Sequence, residues 1–239
     1  MSGRLKNKVA VVTGGSSGIG LAMIKKFIAE GATAISADIA PPEDKQLEFV
    51  KTDVTSPDSL EKAVSKIVGK FKKIDILVAN AGVSEKKYPV SQLDLNNWNK
   101  VLNIDLTGVA LTNKYVVAQM QKQHHGSVVN MSSILGAVGG SESQAYSAAK
   151  AGVAMFTKSQ AITYAKKGIR FNAVAPGYVN TSLLKGLPKK TTDFMLEMMP
   201  IGRLAEPEEI ANVVSFVASD EASIITGALI NADGGYTAG

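Results

Sequence analysis

The chain has 239 residues, 45% of them hydrophobic and 20% charged, with a net charge of +5, an ordinary globular balance that excludes a disordered chain. It has no cysteine and two histidines, the adjacent His124 and His125, so disulfides, thiol nucleophiles and a metal site are excluded and a reducing cytoplasm is the expected compartment. Lysines and arginines are scattered without interleaved aromatics, and no apolar run reaches the length of a membrane span or an export signal, so neither nucleic acid nor membrane is an expected partner.

In chain order, short β-branched runs at 8–13, 32–38, 49–54, 74–82, 126–133, 169–177 and 228–235 read as strands. Longer segments with helical spacing lie between them at 18–31, 56–71, 98–123, 143–167 and 206–219. Strands apolar on both sides and separated by helices predict an α/β fold, a doubly wound parallel sheet of seven strands with helices on both faces. No repeat or linker interrupts the pattern, so residues 1–239 are expected to form one domain. The least regular stretch, 178–205, follows a strand end, where ligands bind in such folds, and is a candidate substrate lid.

The first strand runs through Gly14, Gly18 and Gly20 into a helix. Glycines allow a tight turn and close approach of a pyrophosphate to the free N–H groups of the helix start. Asp38 ends the second strand 18 residues after Gly20, where a carboxylate accepts hydrogen bonds from an adenosine ribose. The alternative is a packing turn with no ligand. Further on, "YSAAK" sets Lys150 four residues after Tyr146, one helical turn away, so an ammonium can stand beside a phenol. Such a pair is often no more than a solvated helix face.

Taken together, "TGGSSGIG", "NAG" at 80–82, Ser133 thirteen residues before Tyr146-x-x-x-Lys150, "PGYVNT" at 176–181 and "DGG" at 233–235 resemble the short-chain dehydrogenase/reductase family. The resemblance runs along essentially the whole chain and implies a Rossmann-type fold, hydride transfer between a secondary alcohol and a ketone, and a homotetramer paired through the helices near 97–123 and 144–166. It implies that Tyr146 is the general acid/base, that Lys150 favours its phenolate and binds the nicotinamide ribose, and that Ser133 holds the substrate oxygen. The position where the family usually carries a relay asparagine is Asp105 here, counted from Trp98. Asn103 would point about 200° away around the helix. A carboxylate at Asp105 is expected to accept from the relay water and hold Lys150 protonated, or else to be merely solvated.

The cofactor set implied is Gly14, Ser16, Ser17, Gly18, Ile19 and Gly20 around the phosphates, with Asp38 and Ile39 at the adenosine ribose. Asp53 and Val54 flank the adenine, and Asn80, Ala81 and Gly82 lie along the cofactor. Tyr146, Lys150, Pro176, Gly177, Val179 and Thr181 complete it around the nicotinamide. "TDVTSPDSL" reads equally as a helix start capped by Ser56. Asp38, with no basic residue at Ile39 or in "GGSSG", favours NAD over NADP. Leu183, Leu184, Leu187, Phe194, Met195, Met198 and Met199 in the lid, with Leu135 and Val138 after Ser133, suit an apolar substrate or simply a core. The last stretches resemble bacterial secondary-alcohol dehydrogenases of the family. The alternatives are a 3-oxoacyl-[acyl-carrier-protein] reductase, usually linked to NADPH, and a dinucleotide-binding regulator with no need of a base.

Overall fold

The structure, a computed structural model, describes residues 3–181, 184 and 188–238. Seven strands follow the chain as β1 (Val9–Thr13), β2 (Thr33–Asp38), β3 (Glu48–Lys51), β4 (Ile76–Ala79), β5 (Gly126–Met131), β6 (Ile169–Pro176) and β7 (Leu229–Ala232). They form one sheet in the order β3-β2-β1-β4-β5-β6-β7, parallel throughout. The order reverses between β1 and β4, so the loops at the carboxyl ends of these strands diverge and open a crevice there.

The helices are α1 (Gly18–Ala29), α2 (Pro57–Phe71), α3 (Leu95–Leu102), α4 (Gly108–Gln123), α5 (Ala145–Tyr164), α6 (Lys189–Glu197) and α7 (Pro207–Ala218). On one face of the sheet Met23, Ile24 and Phe27 of α1 pack with Ile210, Val214 and Val217 of α7, all essentially buried. On the other face Ile67 of α2 and Val116 and Met120 of α4 pack on Ile35, Leu77 and Phe171. Each side chain of this size removed from water contributes about 1.5–3 kcal/mol, which makes the sheet a rigid platform for its loops.

The expected strands and helices are all present, with ends shifted by a few residues. β3 stops at Lys51, so "TDV" belongs to the turn into α2, and Ser56 does cap that helix, its Oγ accepting from Ser59 N–H at 3.3 Å. Two features were not expected. The irregular segment contains α6, and the long helix from 98 to 123 starts at Leu95 and is interrupted at Asn103–Thr107 by a π-turn. Asp105 is the buried residue of that turn.

A buried polar chain fixes α4 and α5 to the middle of the sheet. Asn113 Nδ2 donates to Asn130 Oδ1 at 2.8 Å, and Asn130 Nδ2 donates to Thr157 Oγ1 at 3.0 Å. In a low-dielectric interior these bonds cannot be exchanged for water, so the register of both helices on β5 is set.

Candidate active site

The crevice begins at the glycine turn. Gly18 sits at φ +51°, a left-handed conformation that a side chain disfavours. A Cβ on Gly20 would collide with the carbonyl of Gly14. Ser17 occupies the N-cap of α1 without making a side-chain cap bond, so the first N–H groups of that helix are not closed off by it. Asn80, beyond β4, pins the turn from the other side, its Nδ2 donating to the carbonyls of Thr13 and Gly14 at 3.0 and 3.2 Å. Ala81 N–H donates to Thr13 Oγ1 at 3.1 Å.

Asp38 ends β2 beside this turn, half-buried. Its Oδ2 accepts from Ser16 N–H at 3.0 Å and its Oδ1 from Ile39 N–H at 2.7 Å, while the Ile39 side chain is exposed. Val54 is buried against the start of α4 near Gly108, and Asp53 is exposed, accepting from Thr55 N–H and Oγ1. Across the crevice, Pro176 and Gly177 end β6, and Val179 pairs with Ala205. A Cβ on Gly18 would meet only Thr181, with Cγ2 at 3.8 Å. The loops of β1, β2, β4 and β6 therefore bring the expected cofactor residues to one edge of the sheet. Ile19 lies one residue inside α1.

The expected catalytic residues lie beyond β5 and on α5. Ser133 Oγ accepts from Leu135 N–H at 3.2 Å, which leaves its hydroxyl proton to donate. Lys150 is 4% exposed, and its Nζ stands 5.3 Å from the Tyr146 ring centroid and donates to the Met131 carbonyl at 3.2 Å. A buried ammonium needs a counter-charge, and Asp105 supplies it, with Oδ2 3.4 Å from Lys150 Nζ.

Asp105 is wholly buried, so the expectation of a merely solvated carboxylate is overturned, whereas Asn103 faces solvent. Asp105 Oδ1 accepts from Val83 N–H at 2.9 Å, and Oδ2 has no hydrogen-bond partner among the described residues. Burial pushes the Asp105 carboxyl above the usual aspartate range, against the opposing pull of the Lys150 ammonium and the Val83 N–H. A Cβ on Gly82 would come within 2.9 Å of Oδ2, so glycine there leaves room for the carboxylate. At the end of β6, burial and the neighbouring Tyr236 push the Tyr178 phenol up, which disfavours it as a competing base.

Of the apolar lid residues, Met199 is buried and serves the core, while Phe194 and Met198 are exposed; Leu183 and Leu187 lie outside the described residues. Arg203 is committed to Glu209, its Nη1 and Nη2 donating at 2.6 and 2.8 Å. A residue that the sequence reading missed is Glu85, which touches the backbone of Tyr146.

A glycine turn at the point where strand order reverses, with a tyrosine and a buried lysine one helical turn apart on α5, is the arrangement of a dinucleotide-linked oxidoreductase. The chain belongs to the short-chain dehydrogenase/reductase family, whose model described as "Enoyl-(Acyl carrier protein) reductase" matches residues 14–237. It is 48% identical to the cis-4-hydroxycyclohexanecarboxylate dehydrogenase of Sinomonas cyclohexanicum, over 97% of each chain. It is 41% identical to a 3-oxoacyl-[acyl-carrier-protein] reductase of Thermotoga maritima, over 97% of this chain and 98% of that one. The solved structure of gox2181 superposes with a TM-score of 0.94 at 35% identity, covering 99% of each chain. The chain is thus an oxidoreductase acting on CH–OH groups, interconverting a secondary alcohol and a ketone.

Proposed function

We propose that this enzyme uses NAD(H) to interconvert a secondary alcohol on an apolar ring and the corresponding ketone, with Tyr146 as the general acid/base. The observation that carries the reading is the buried Lys150, held between Asp105 and the Met131 carbonyl beside the Tyr146 ring. An ammonium fixed there places a positive charge beside the group that exchanges the proton. In the oxidative direction Tyr146 takes the hydroxyl proton of the alcohol, and in the reductive direction it returns a proton to the ketone oxygen. Ser133 donates a hydrogen bond to that same oxygen and holds it facing the phenol. Asp105 is the counter-charge that holds Lys150 in place.

The glycine turn, the uncapped start of α1 and the open space over Gly18 suit a pyrophosphate. A nicotinamide dinucleotide held there would supply the hydride acceptor for alcohol oxidation and the hydride donor for ketone reduction. Asp38 would accept the ribose hydroxyls and repel a 2′-phosphate, which supports NAD over NADP. Asp53, Val54, Asn80, Ala81, Gly82, Pro176, Gly177, Val179 and Thr181 would line its length, and residues 178–205 would cover the substrate.

The substrate class rests on the Sinomonas relative, named for a hydroxycyclohexane acid, and on the exposed apolar surface of α6. With Arg203 engaged by Glu209, a guanidinium clamp for a carboxylate is not offered there. The Thermotoga relative favours a second reading, reduction of a 3-oxoacyl thioester on an acidic carrier. Exposed Met155 and Ile162, seven residues apart on one face of α5, support pairing into a homotetramer, and the cysteine-free composition supports a cytoplasmic setting. The test is kcat/KM for cis-4-hydroxycyclohexanecarboxylate, unsubstituted cyclohexanols and a 3-oxoacyl thioester, each with both cofactors. A preference for the thioester with NADPH would overturn the proposal.

A further inference from the structure

The helix that carries Tyr146 and Lys150 begins without a cap of its own. Gln144, at its N-cap, makes no side-chain bond to the first turn, yet the opening N–H groups of a buried helix need acceptors. The acceptor comes from far away in the chain. Glu85, in the loop after β4, sets Oε2 3.2 Å from Gln144 N and 3.1 Å from Tyr146 N, and its Oε1 accepts the Ser143 hydroxyl. Ser147 Oγ in turn donates to Ser143 Oγ at 3.0 Å.

We propose that Glu85 is a positioning residue for the reaction: its carboxylate clamps the first turn of α5 and so fixes Tyr146 against the substrate oxygen. The inference rests on the reading of Tyr146 as the acid/base. Three bonds from one side chain hold Ser143, Gln144 and Tyr146, and one of them lands on the backbone of the tyrosine itself. The same loop is tied at its other end, where Asp105 accepts from Val83 N–H. A rigid bracket therefore joins Asp105, the loop after β4 and the start of α5. The carboxylate also meets the positive end of the α5 dipole, which favours a negative group there. Its role was invisible in the sequence because its contacts span 58 to 61 residues.

The chemistry of the clamp sets the test. A glutamine has one oxygen for the two N–H groups and an amide to donate to Ser143 Oγ, so it can keep all three contacts. Alanine keeps none, and aspartate, one methylene shorter, keeps the charge but retracts from Tyr146. Misplacement of a reacting group by about 1 Å costs up to ~100-fold, so Glu85→Ala is expected to lower kcat by about thirtyfold or more and Glu85→Asp by about tenfold. Glu85→Gln should recover kcat to within about fivefold of the parent, and KM for NAD and NADH affinity should move by less than about threefold in all three. If Glu85→Ala does not fold, Glu85→Asp carries the same comparison. The proposal is overturned if the alanine and aspartate variants keep kcat within about threefold, if glutamine fails as badly as alanine, or if kcat and cofactor affinity fall together with thermal stability. Tyr146→Phe is measured beside them. An inactive phenylalanine variant with an active Glu85→Ala sinks the clamp alone, whereas an active phenylalanine variant sinks the acid/base reading and the clamp with it.

Discussion

Asp105→Asn isolates the charge in the buried pair with Lys150. The two groups stand 3.4 Å apart with 0% and 4% exposure. At an effective dielectric of ~20 that separation gives a gross attraction of about 5 kcal/mol, against a desolvation penalty of several kcal/mol for each ion. The terms nearly cancel, and asparagine keeps an oxygen for Val83 N–H, so stability near neutral pH should change by no more than about 2 kcal/mol. Asp105→Leu loses the counter-charge just as asparagine does and in addition leaves the Val83 N–H without its acceptor, a further loss of about 1–3 kcal/mol. The pH dependence has a definite sign. Because the folded carboxyl titrates above the ordinary value of 3.8, the native state binds more protons than the unfolded state between the two values. The Asp105 contribution is therefore fullest at low pH and falls as pH rises through that window, by at most ~1.4 kcal/mol per unit. Urea unfolding of the parent and the asparagine variant from about pH 3.5 to 8 gives the difference curve, in which the other carboxylates cancel. A parent that gains stability relative to the variant with rising pH, or a leucine variant as stable as the asparagine one, would refute the reasoning. Turnover of Asp105→Asn should stay within about tenfold, ~1.4 kcal/mol of barrier.

Asp38→Ala removes both the ribose acceptor and the repulsion of a 2′-phosphate, so the ratio of kcat/KM for NAD to that for NADP should fall by about tenfold or more; a parent that already prefers NADP contradicts the assignment. Arg170 sits at the amino end of β6, where it donates to the carbonyls of Val217, Ser219 and Ile225 and to Ser127 Oγ. Arg170→Ala leaves the end of α7 unsatisfied at a cost of about 3 kcal/mol. At 2–4 °C per kcal/mol that lowers Tm by roughly 6–12 °C, and calorimetry should show it with KM unchanged.

The strands were legible in the sequence because parallel strands buried on both faces must be continuous apolar runs, as "VAVVT" and "ILVA" are. The crevice was legible because glycines at 14, 18 and 20 serve a backbone geometry that other residues resist. The helix α6 was not, since Phe194 faces outward and none of its residues is buried, so it carries no core-facing stripe to read. The π-turn at 103–107 escaped as well, because its helical spacing differs from an α-helix by one residue. Glu85 and the Asn113–Asn130–Thr157 chain depend on contacts between distant segments, and no local pattern encodes those.

The measurement closest to the central claim is turnover and NADH binding in Tyr146→Phe. The phenylalanine ring keeps the packing between Lys150 and the crevice but has no proton to give or take. NADH fluorescence titration should give an affinity within about threefold of the parent, while kcat for alcohol oxidation falls by about 1,000-fold or more, ~4 kcal/mol of barrier. Activity retained above a few per cent of the parent, with binding intact, would contradict the assignment of Tyr146 as the group that moves the proton.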